Sequence, residues 1–238
     1  MIDIRIVPAR GFGRACLDAL QEAAGGRPKI AIGLPTGNTP IALYQEMAMA
    51  AAAGSFSVLG WRPFAIDEYG GPKSHPCSNR SFFQQYWVAI PGAPDVEQFD
   101  PEAQDIDAEI QRMRGAVGSA GGLDIALLGI GLNGHVAFNE PGSTLENSVR
   151  RVELTEVSRQ SARACWGDET PTWGLTLGLR ELFGAGAVII MANGLTKANI
   201  VAAAIDGPAT GQVPASLSRR STRVTWVLDE AAASGLTG

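Results

Sequence analysis

Short apolar runs alternate along the chain with longer segments in which apolar positions recur at helical spacing. The predicted strands are residues 29–33, 62–66, 123–130, 187–192 and 223–228. Predicted helices begin at Pro40 and cover residues 78–87, 101–117 and 196–205. Nearly continuous apolar strands separated by helices are typical of a parallel sheet covered on both faces. The pattern therefore predicts an α/β fold with a mainly parallel central sheet.

The chain is long enough for one large α/β domain, and two smaller domains are the alternative. Its 238 residues contain no internal repeat, low-complexity linker or charge run that marks a boundary. We therefore predict a single domain covering residues 1–238.

Charge and composition exclude several classes of partner. The chain has 19 basic and 24 acidic residues and a net charge of −5, so it lacks the electrostatic footprint of a nucleic-acid-binding protein. No apolar stretch approaches the length that spans a bilayer, and the first residues lack the layout of a secretion signal. We expect no nucleic acid and no membrane among its partners, and a cytoplasmic location.

The cysteine and histidine content argues against a metal centre or a disulfide framework. Cys16, Cys77 and Cys165 are an odd number with no C-x-x-C spacing. This favours reduced thiols in the cytoplasm over disulfides or a zinc site. The two histidines, His75 and His135, are too few for a histidine-rich metal site.

Polar clusters follow three of the predicted strands. They are Thr36–Thr39, Asp67 with Glu68, and the segment from Asn133 to Glu140. In parallel α/β sheets, ligands bind outside the carboxyl ends of the strands. The coincidence of the three clusters predicts a functional site at that edge.

The loop from Leu34 to Pro40 has the features of an anion cradle. Gly37 lets the backbone approach a ligand closely, and consecutive N–H groups with the hydroxyls of Thr36 and Thr39 suit phosphate oxygens at a helix start. The alternative is an ordinary turn with a threonine cap. No Gly-Lys-Ser/Thr follows, so it is not a Walker loop.

A second glycine-rich segment, Gly129 to Gly134, matches the dinucleotide pattern G-x-G-x-x-G. That fingerprint needs a helix opening at the glycines. Here Pro141 and Gly142 interrupt the chain shortly afterwards, which disfavours nicotinamide or flavin binding.

Four side chains suit acid–base chemistry. Asn133 can orient His135 through a ring N–H, and Glu140 can share its proton traffic. Asp67 ends an apolar strand. The alternatives are a structural histidine and a helix-capping carboxylate. Solvated surface charge is the default interpretation of Lys197, Arg150, Arg159 and Arg163.

Taken together, these stretches resemble the glucosamine-6-phosphate deaminase family from about residue 30 to about residue 230. The resemblance is carried by Gly33-Leu-Pro-Thr-Gly-Asn-Thr-Pro40, Ile66-Asp-Glu-Tyr69, Gly129 to Gly142 with its His-Val-Ala-Phe-Asn-Glu-Pro-Gly run, Gly194-Leu-Thr-Lys197 and Val213-Pro-Ala-Ser216. It implies a Rossmann-like three-layer sandwich. Related 6-phosphogluconolactonases share the fold and a Gly-His, but not the Phe-Asn-Glu-Pro continuation.

The resemblance implies isomerisation of an amino-sugar phosphate followed by loss of ammonia, without a metal or organic cofactor. Ring opening would fall to His135 assisted by Glu140, and Asp67 would move the proton from C2 to C1. The substrate phosphate would lie on Gly37, Asn38 and Thr39 with Lys197 as counter-charge.

The chain departs from the family pattern at two places. Asn133 stands where many members have aspartate, and it can orient the imidazole but cannot stabilise an imidazolium by charge. The family's phosphate-binding arginine aligns only after a one-residue shift, with Arg163 as candidate and Arg159 as reserve.

The chain ends soon after Asp229 and Glu230, where longer relatives with allosteric hexamers continue, so we expect a monomer or small homo-oligomer. The expected substrate is a small-molecule amino-sugar phosphate, glucosamine 6-phosphate first. The alternatives are galactosamine 6-phosphate, then 6-phosphogluconolactone hydrolysis or a non-catalytic sugar-phosphate sensor.

Overall fold

A computed structural model describes residues 2–237 of the chain. The strands are β1 (Ile2–Val7), β2 (Ala31–Leu34), β3 (Arg62–Ala65), β4 (Asp67–Tyr69), β5 (Ile125–Gly129), β6 (Arg150–Glu153), β7 (Trp173–Thr176), β8 (Ala187–Ala192) and β9 (Val224–Asp229). The helices are α1 (Phe12–Ala24), α2 (Ile41–Ala52), α3 (Asn79–Tyr86), α4 (Ile106–Ser119), α5 (Glu156–Trp166), α6 (Leu179–Phe183), α7 (Ala198–Ile205) and α8 (Glu230–Ala233).

The central sheet contains six parallel strands in the order β1-β9-β8-β5-β2-β3. Alternate residues of its inner strands enter two separate cores. In β8, Ile189 packs with α1 and α2, whereas Ile190 packs with α4 and α7 on the other face. The predicted three-layer α/β architecture with a parallel sheet is confirmed.

The chain leaves β2 toward β3 on one side of the sheet, whereas β5 is followed by β8 on the other. The neighbouring strands β2 and β5 therefore form the topological switch point of the sheet. Crevices at such a point are the usual ligand sites of open α/β folds.

A small antiparallel sheet, β4-β7-β6, was absent from the sequence prediction. Its strands have three or four residues, too few for a two-residue period to stand out. It pairs Asp67 with Thr176 and Tyr69 with Gly174. This sheet fixes the backbone of the acidic segment immediately after β3.

The expectation of three reduced thiols is wrong, because Cys77 and Cys165 form a disulfide with Cα atoms 5.9 Å apart. The bond joins the segment before α3 to the end of α5. Its partners lie 88 residues apart, so their spacing gave no sign of their proximity in the fold. Cys16 is free, and burial raises the pKa of its thiol to about 12.

Within residues 2–237, no helix has the length and apolar character needed to cross a membrane.

Candidate active site

A cavity of about 340 Å³ opens at the carboxyl ends of β2 and β5, at the switch point of the sheet. Its polar lining comes from separate parts of the chain. Residues that line it include Thr36, Gly37, Asn38, Thr39, Asp67, Tyr69, His135, Ser161 and Lys197. The predicted clusters after β2, β3 and β5 thus meet in one cavity.

The loop between β2 and α2 forms one wall of the cavity. Gly37 has a φ of 91°, a conformation that side-chain-bearing residues rarely adopt. The buried Tyr44 of α2 donates its hydroxyl hydrogen to the carbonyl of Pro35 at 2.9 Å, which ties the loop to the helix below it. The loop is therefore fixed in position at the N-terminus of α2, where backbone N–H groups favour an anion.

Lys197 reaches the same cavity from the other side of the switch point. It ends a short 3-10 helix, Leu195–Lys197, which follows β8. Its Nζ donates to the carbonyl oxygen of Ile130 at 2.7 Å. Burial lowers the pKa of the Lys197 ammonium. Its hydrogen-bond partner is a neutral carbonyl and not a carboxylate. Lys197 is therefore a half-buried cation directed toward the loop after β5. The default interpretation of a solvated surface charge does not hold for this residue.

Asp67 is a buried carboxylate at the cavity wall, 8% exposed. Its Oδ1 accepts a hydrogen bond of 2.6 Å from the amide of Asn79. Burial and the adjacent Glu68 raise the pKa of Asp67 to about 7, against the lowering effect of the Asn79 hydrogen bond. A carboxylate with this pKa can take and return a proton near neutral pH.

Glu68 follows Asp67 on β4 and is 1% exposed. Its carboxylate accepts backbone hydrogen bonds from Tyr69, Asn79 and Arg80 at 2.9, 2.9 and 3.2 Å. Burial raises the pKa of Glu68 to about 7 even though these hydrogen bonds lower it. The side chain thus holds the start of α3 against the end of β4.

The imidazole of His135 is oriented by Asn133. Asn133 donates its amide to the Glu140 carboxylate at 2.8 Å, so its Oδ1 faces the His135 Nδ1, also at 2.8 Å. An amide oxygen accepts only, and this hydrogen-bond network therefore assigns the ring proton to Nδ1. The Nε2 nitrogen is then the basic one.

Glu140 is the charged partner of this imidazole. Its Oε2 lies 3.5 Å from the His135 Nδ1 and also accepts from the Thr155 hydroxyl at 3.1 Å. Burial acts to raise the pKa of Glu140, but hydrogen bonding and the His135 charge outweigh it and hold the pKa at about 2. The carboxylate therefore stays ionised at neutral pH and can stabilise a charged imidazole.

Gly131 is required by the position of the imidazole. A Cβ on Gly131 would lie about 2.2 Å from the His135 ring, closer than atoms can approach. The glycine-rich segment after β5 thus makes room for a side chain, whereas in a dinucleotide site it would face a pyrophosphate.

The structure does not bring either candidate arginine to the cavity. Arg163 is exposed on α5, and Arg159 pairs with Glu156 on the same helix at 3.4 Å. Ser161, from the turn between them, lines the cavity instead. Residues two positions apart lie on different faces of a helix, so Ser161 faces the cavity while Arg159 and Arg163 do not.

Arg150 also departs from the default of a solvated surface charge. Its guanidinium is partly buried and donates to the Asn139 Oδ1 at 2.8 Å. Asn139 is fully buried and donates to the carbonyl oxygens of Val136 and Leu177. Arg150 thus braces the segment that carries His135 and Glu140.

Sequence reasoning missed several residues of the site. Asn79 binds Asp67, Thr155 binds Glu140, and Ser158 lies 3.2 Å from the His135 Nδ1. Threonine before a helix is a favoured N-cap pattern, and Thr155 caps α5 by accepting from the Ser158 N–H. That pattern could have located the helix, but it gives no sign of the contact with Glu140.

The fold and the cavity define an α/β protein that brings titratable side chains together with a helix-start loop, whose N–H groups favour an anion, at a sheet switch point. The chain belongs to the family described as glucosamine-6-phosphate isomerases/6-phosphogluconolactonase, whose sequence model matches residues 8–226. The resemblance expected from the motifs is thereby confirmed.

Curated relatives cover nearly the whole chain. A glucosamine-6-phosphate deaminase of Streptomyces coelicolor is 36% identical over 243 residues, which is 99% of this chain and 93% of the relative. Another from Rhodococcus opacus is 40% identical over 212 residues, covering 86% and 81%.

Solved structures agree with the fold. A monomeric glucosamine-6-phosphate deaminase matches with a TM-score of 0.93 and 26% identity, covering 98% of this chain and 99% of that one. A 6-phosphogluconolactonase from Leishmania guyanensis matches with a TM-score of 0.78 and 21% identity over the full length of both chains. At this lower identity the second match supports the fold alone.

Proposed function

We propose that this protein is a glucosamine-6-phosphate deaminase, which converts glucosamine 6-phosphate and water into fructose 6-phosphate and ammonia. The observation that carries the proposal is a single cavity lined by Asp67, His135, Lys197 and the loop after β2. The curated names of the relatives that match most of the chain support the same activity.

The substrate phosphate is proposed to bind between the loop after β2 and Lys197. The N–H groups of Gly37, Asn38 and Thr39 lie before α2, where the helix N-terminus favours an anion. Lys197 lines the same cavity and supplies the positive charge. Thr36 is proposed to line this site without donating its hydroxyl to the phosphate, since that hydrogen is already donated to Asn79. Arg163 is left out of this proposal because its side chain is exposed outside the cavity.

Ring opening is proposed to use the Nε2 nitrogen of His135. Nε2 takes the proton of the C1 hydroxyl, and the resulting imidazolium returns this proton to the ring oxygen as the C1–O5 bond breaks, which leaves the open-chain aldehyde. The imidazolium formed on the way faces the ionised Glu140 at 3.5 Å. Glu140 thus supplies the charge that the neutral Asn133 lacks, while Asn133 fixes the ring orientation.

Proton transfer between carbons is assigned to Asp67. The aldehyde at C1 acidifies the C2 proton. The carboxylate removes it while the aldehyde oxygen takes a proton from the substrate ammonium, which forms an enolamine. Return of that proton to C1 leaves an iminium at C2, which water hydrolyses to the ketone with release of ammonia. This sequence is redox-neutral, and a buried carboxylate with a raised pKa suits its first step.

The assembly and the cellular location are also proposals. We propose that the protein acts as a monomer or small homo-oligomer on a small sugar phosphate, in the cytoplasm and without nucleic acid or membrane partners. The monomeric structural neighbour supports the small assembly. The Cys77–Cys165 disulfide does not support the location, because cytosolic reductants keep most thiol pairs open.

The direct test is ammonia release from purified protein. We expect turnover of glucosamine 6-phosphate with a kcat/KM at least ~10-fold above that of galactosamine 6-phosphate. A preference for the galacto epimer would change the substrate. Hydrolysis of 6-phosphogluconolactone without ammonia release would favour the lactonase, and binding without turnover would indicate a sensor.

Replacement of Lys197 tests the phosphate site. Lys197→Ala removes the cavity cation, so we expect KM for glucosamine 6-phosphate to rise about 10- to 100-fold, as for loss of a charge-assisted contact. The kcat should change much less. Lys29→Ala is the matched control, because Lys29 is exposed before β2 at the opposite end of the sheet. A defect confined to kcat would contradict the assignment.

A further inference from the structure

Asn79 connects two parts of the cavity that the sequence leaves separate. It is the first residue of α3 and is 4% exposed. Its Nδ2 donates to both the carbonyl oxygen and the Oδ1 of Asp67, at 2.8 and 2.6 Å. Its Oδ1 accepts from the Thr36 hydroxyl at 2.8 Å. The amide therefore touches the acidic segment with one end and the loop after β2 with the other.

Chemistry permits only one orientation of this amide. The two N–H hydrogens of Asn79 are both used by oxygens of Asp67, and the amide oxygen meets the hydroxyl of Thr36. A flipped amide would set its oxygen against two other acceptors. The hydrogen bond to Oδ1 stabilises the ionised carboxylate and leaves Oδ2 for a substrate proton.

The position of Asn79 is itself fixed from below. Its backbone N–H donates to the buried Glu68 carboxylate at 2.9 Å, and that of Arg80 does so at 3.2 Å. Ser78 caps the helix by accepting from the Ser81 N–H. The Asn79 amide thus projects from a first turn of α3 that is fixed by hydrogen bonds, so it cannot move with Asp67 if that carboxylate changes position.

We propose that Asn79 is a positioning residue that links the phosphate-binding loop to the carboxylate of Asp67. A phosphate held on this loop fixes Thr36, Thr36 fixes the Asn79 amide, and the amide fixes Asp67 in its ionised, proton-accepting form. The inference rests on the proposed function, because it assigns the loop to phosphate and Asp67 to proton transfer.

Several other titratable groups lie near Asp67. Glu68 and Tyr69 lie on the same strand, and His135 and Lys197 line the cavity opposite. Removal of the Asn79 amide leaves all of these in place. We therefore expect Asn79→Ala to raise the pKa of Asp67 by about one pH unit, the effect of losing one charge-assisted hydrogen bond.

The experiment measures that titration and the kinetics in the full-length protein. Carboxyl ¹³C NMR of aspartate-labelled protein follows Asp67, whose signal is assigned from its loss in Asp67→Asn. We expect Asn79→Ala to shift this titration upward, to move the acidic limb of kcat/KM with it, and to lower kcat about 10- to 100-fold. Gln84→Ala is the control, an exposed position on α3.

A double-mutant cycle tests the link to the loop. Thr36→Val removes the donor to the Asn79 oxygen but keeps the side-chain volume. If the two residues act in series on Asp67, the kcat of the double variant equals that of Asn79→Ala alone, whereas the effects on KM remain separate.

Two outcomes would overturn the inference: an unshifted Asp67 titration in folded Asn79→Ala, or kcat losses that multiply in the double variant. Failure of the proposed function is distinguishable, because wild-type protein would then release no ammonia while the NMR titration could still be recorded.

Discussion

Asp67→Asn is expected to lower kcat for ammonia release by about 100- to 10,000-fold, the range that a general base contributes. The amide cannot take the C2 proton, yet its oxygen can still accept from Asn79, so the packing of the site is retained. Affinity for the C1-alcohol analogue of the substrate, measured by calorimetry, should stay within about threefold, because phosphate binding does not involve this side chain.

The wild-type pH profile follows from the same group. In the proposed mechanism Asp67 acts as a base only when ionised, and burial raises its pKa to about 7. The kcat/KM should therefore fall as the pH decreases through about 7 and level off above it. Asp95→Asn, an exposed acid in the segment before α4, should keep both the rate and the profile. Near-wild-type turnover by Asp67→Asn would remove this residue from the mechanism.

The strands of the fold were predictable from the sequence where every residue of a strand is apolar and buried. The apolar run at residues 187–192 coincides with β8, whose six residues are all buried. β1 escaped prediction because it is an edge strand. Its isoleucines Ile2, Ile4 and Ile6 are partly exposed and alternate with polar residues, so they do not form a continuous apolar run. Alternation over such a length also indicates a half-buried strand, a signal that the prediction from continuous apolar runs did not use.

The site was predictable where it depends on strand direction. Thr36, Asp67 and His135 come after different strands, and parallel strands end at the same edge. Which helix residues complete the site depends on rotation about the helix axis. For that reason Arg163 was proposed, although Ser161 of the same helix lines the cavity.

Contacts between segments distant in sequence were not predictable from either rule. Asn79 meets Thr36 across 43 positions, and the disulfide joins residues 88 apart. Such contacts depend on loop paths that carry no periodic signal. The small sheet made by β4, β7 and β6 has the same origin, since it pairs Asp67 with a strand more than 100 positions later.

Asn133 stands where many family members have an aspartate, but this difference need not weaken ring opening. In this protein one residue supplies the negative charge near the imidazole and another residue orients the ring. The Asn133 amide bonds both Glu140 and His135, at 2.8 Å each. Glu140 supplies the negative charge, with its Oε2 3.5 Å from the His135 Nδ1. Because Glu140 supplies the charge, we expect the rate of ring opening to depend on the imidazole of His135 more than on the amide of Asn133.

His135→Gln is accordingly expected to lower kcat about 100- to 1,000-fold by removing the base that opens the ring in the proposed mechanism. Because Asp67 is untouched, the C2–H step should keep its intrinsic rate and ring opening should become rate-limiting. With substrate deuterated at C2, the wild type should show an isotope effect on kcat above unity, and the variant should show one that falls toward unity.

The remaining histidine provides the matched control. His75 stacks on Trp166 with ring centroids 4.0 Å apart, and it does not line the cavity that holds Asp67. His75→Gln should therefore leave both kcat and the isotope effect near their wild-type values. If His135→Gln lowered kcat while the isotope effect stayed undiminished, the imidazole would act in the carbon-to-carbon proton transfer, and ring opening would need another base.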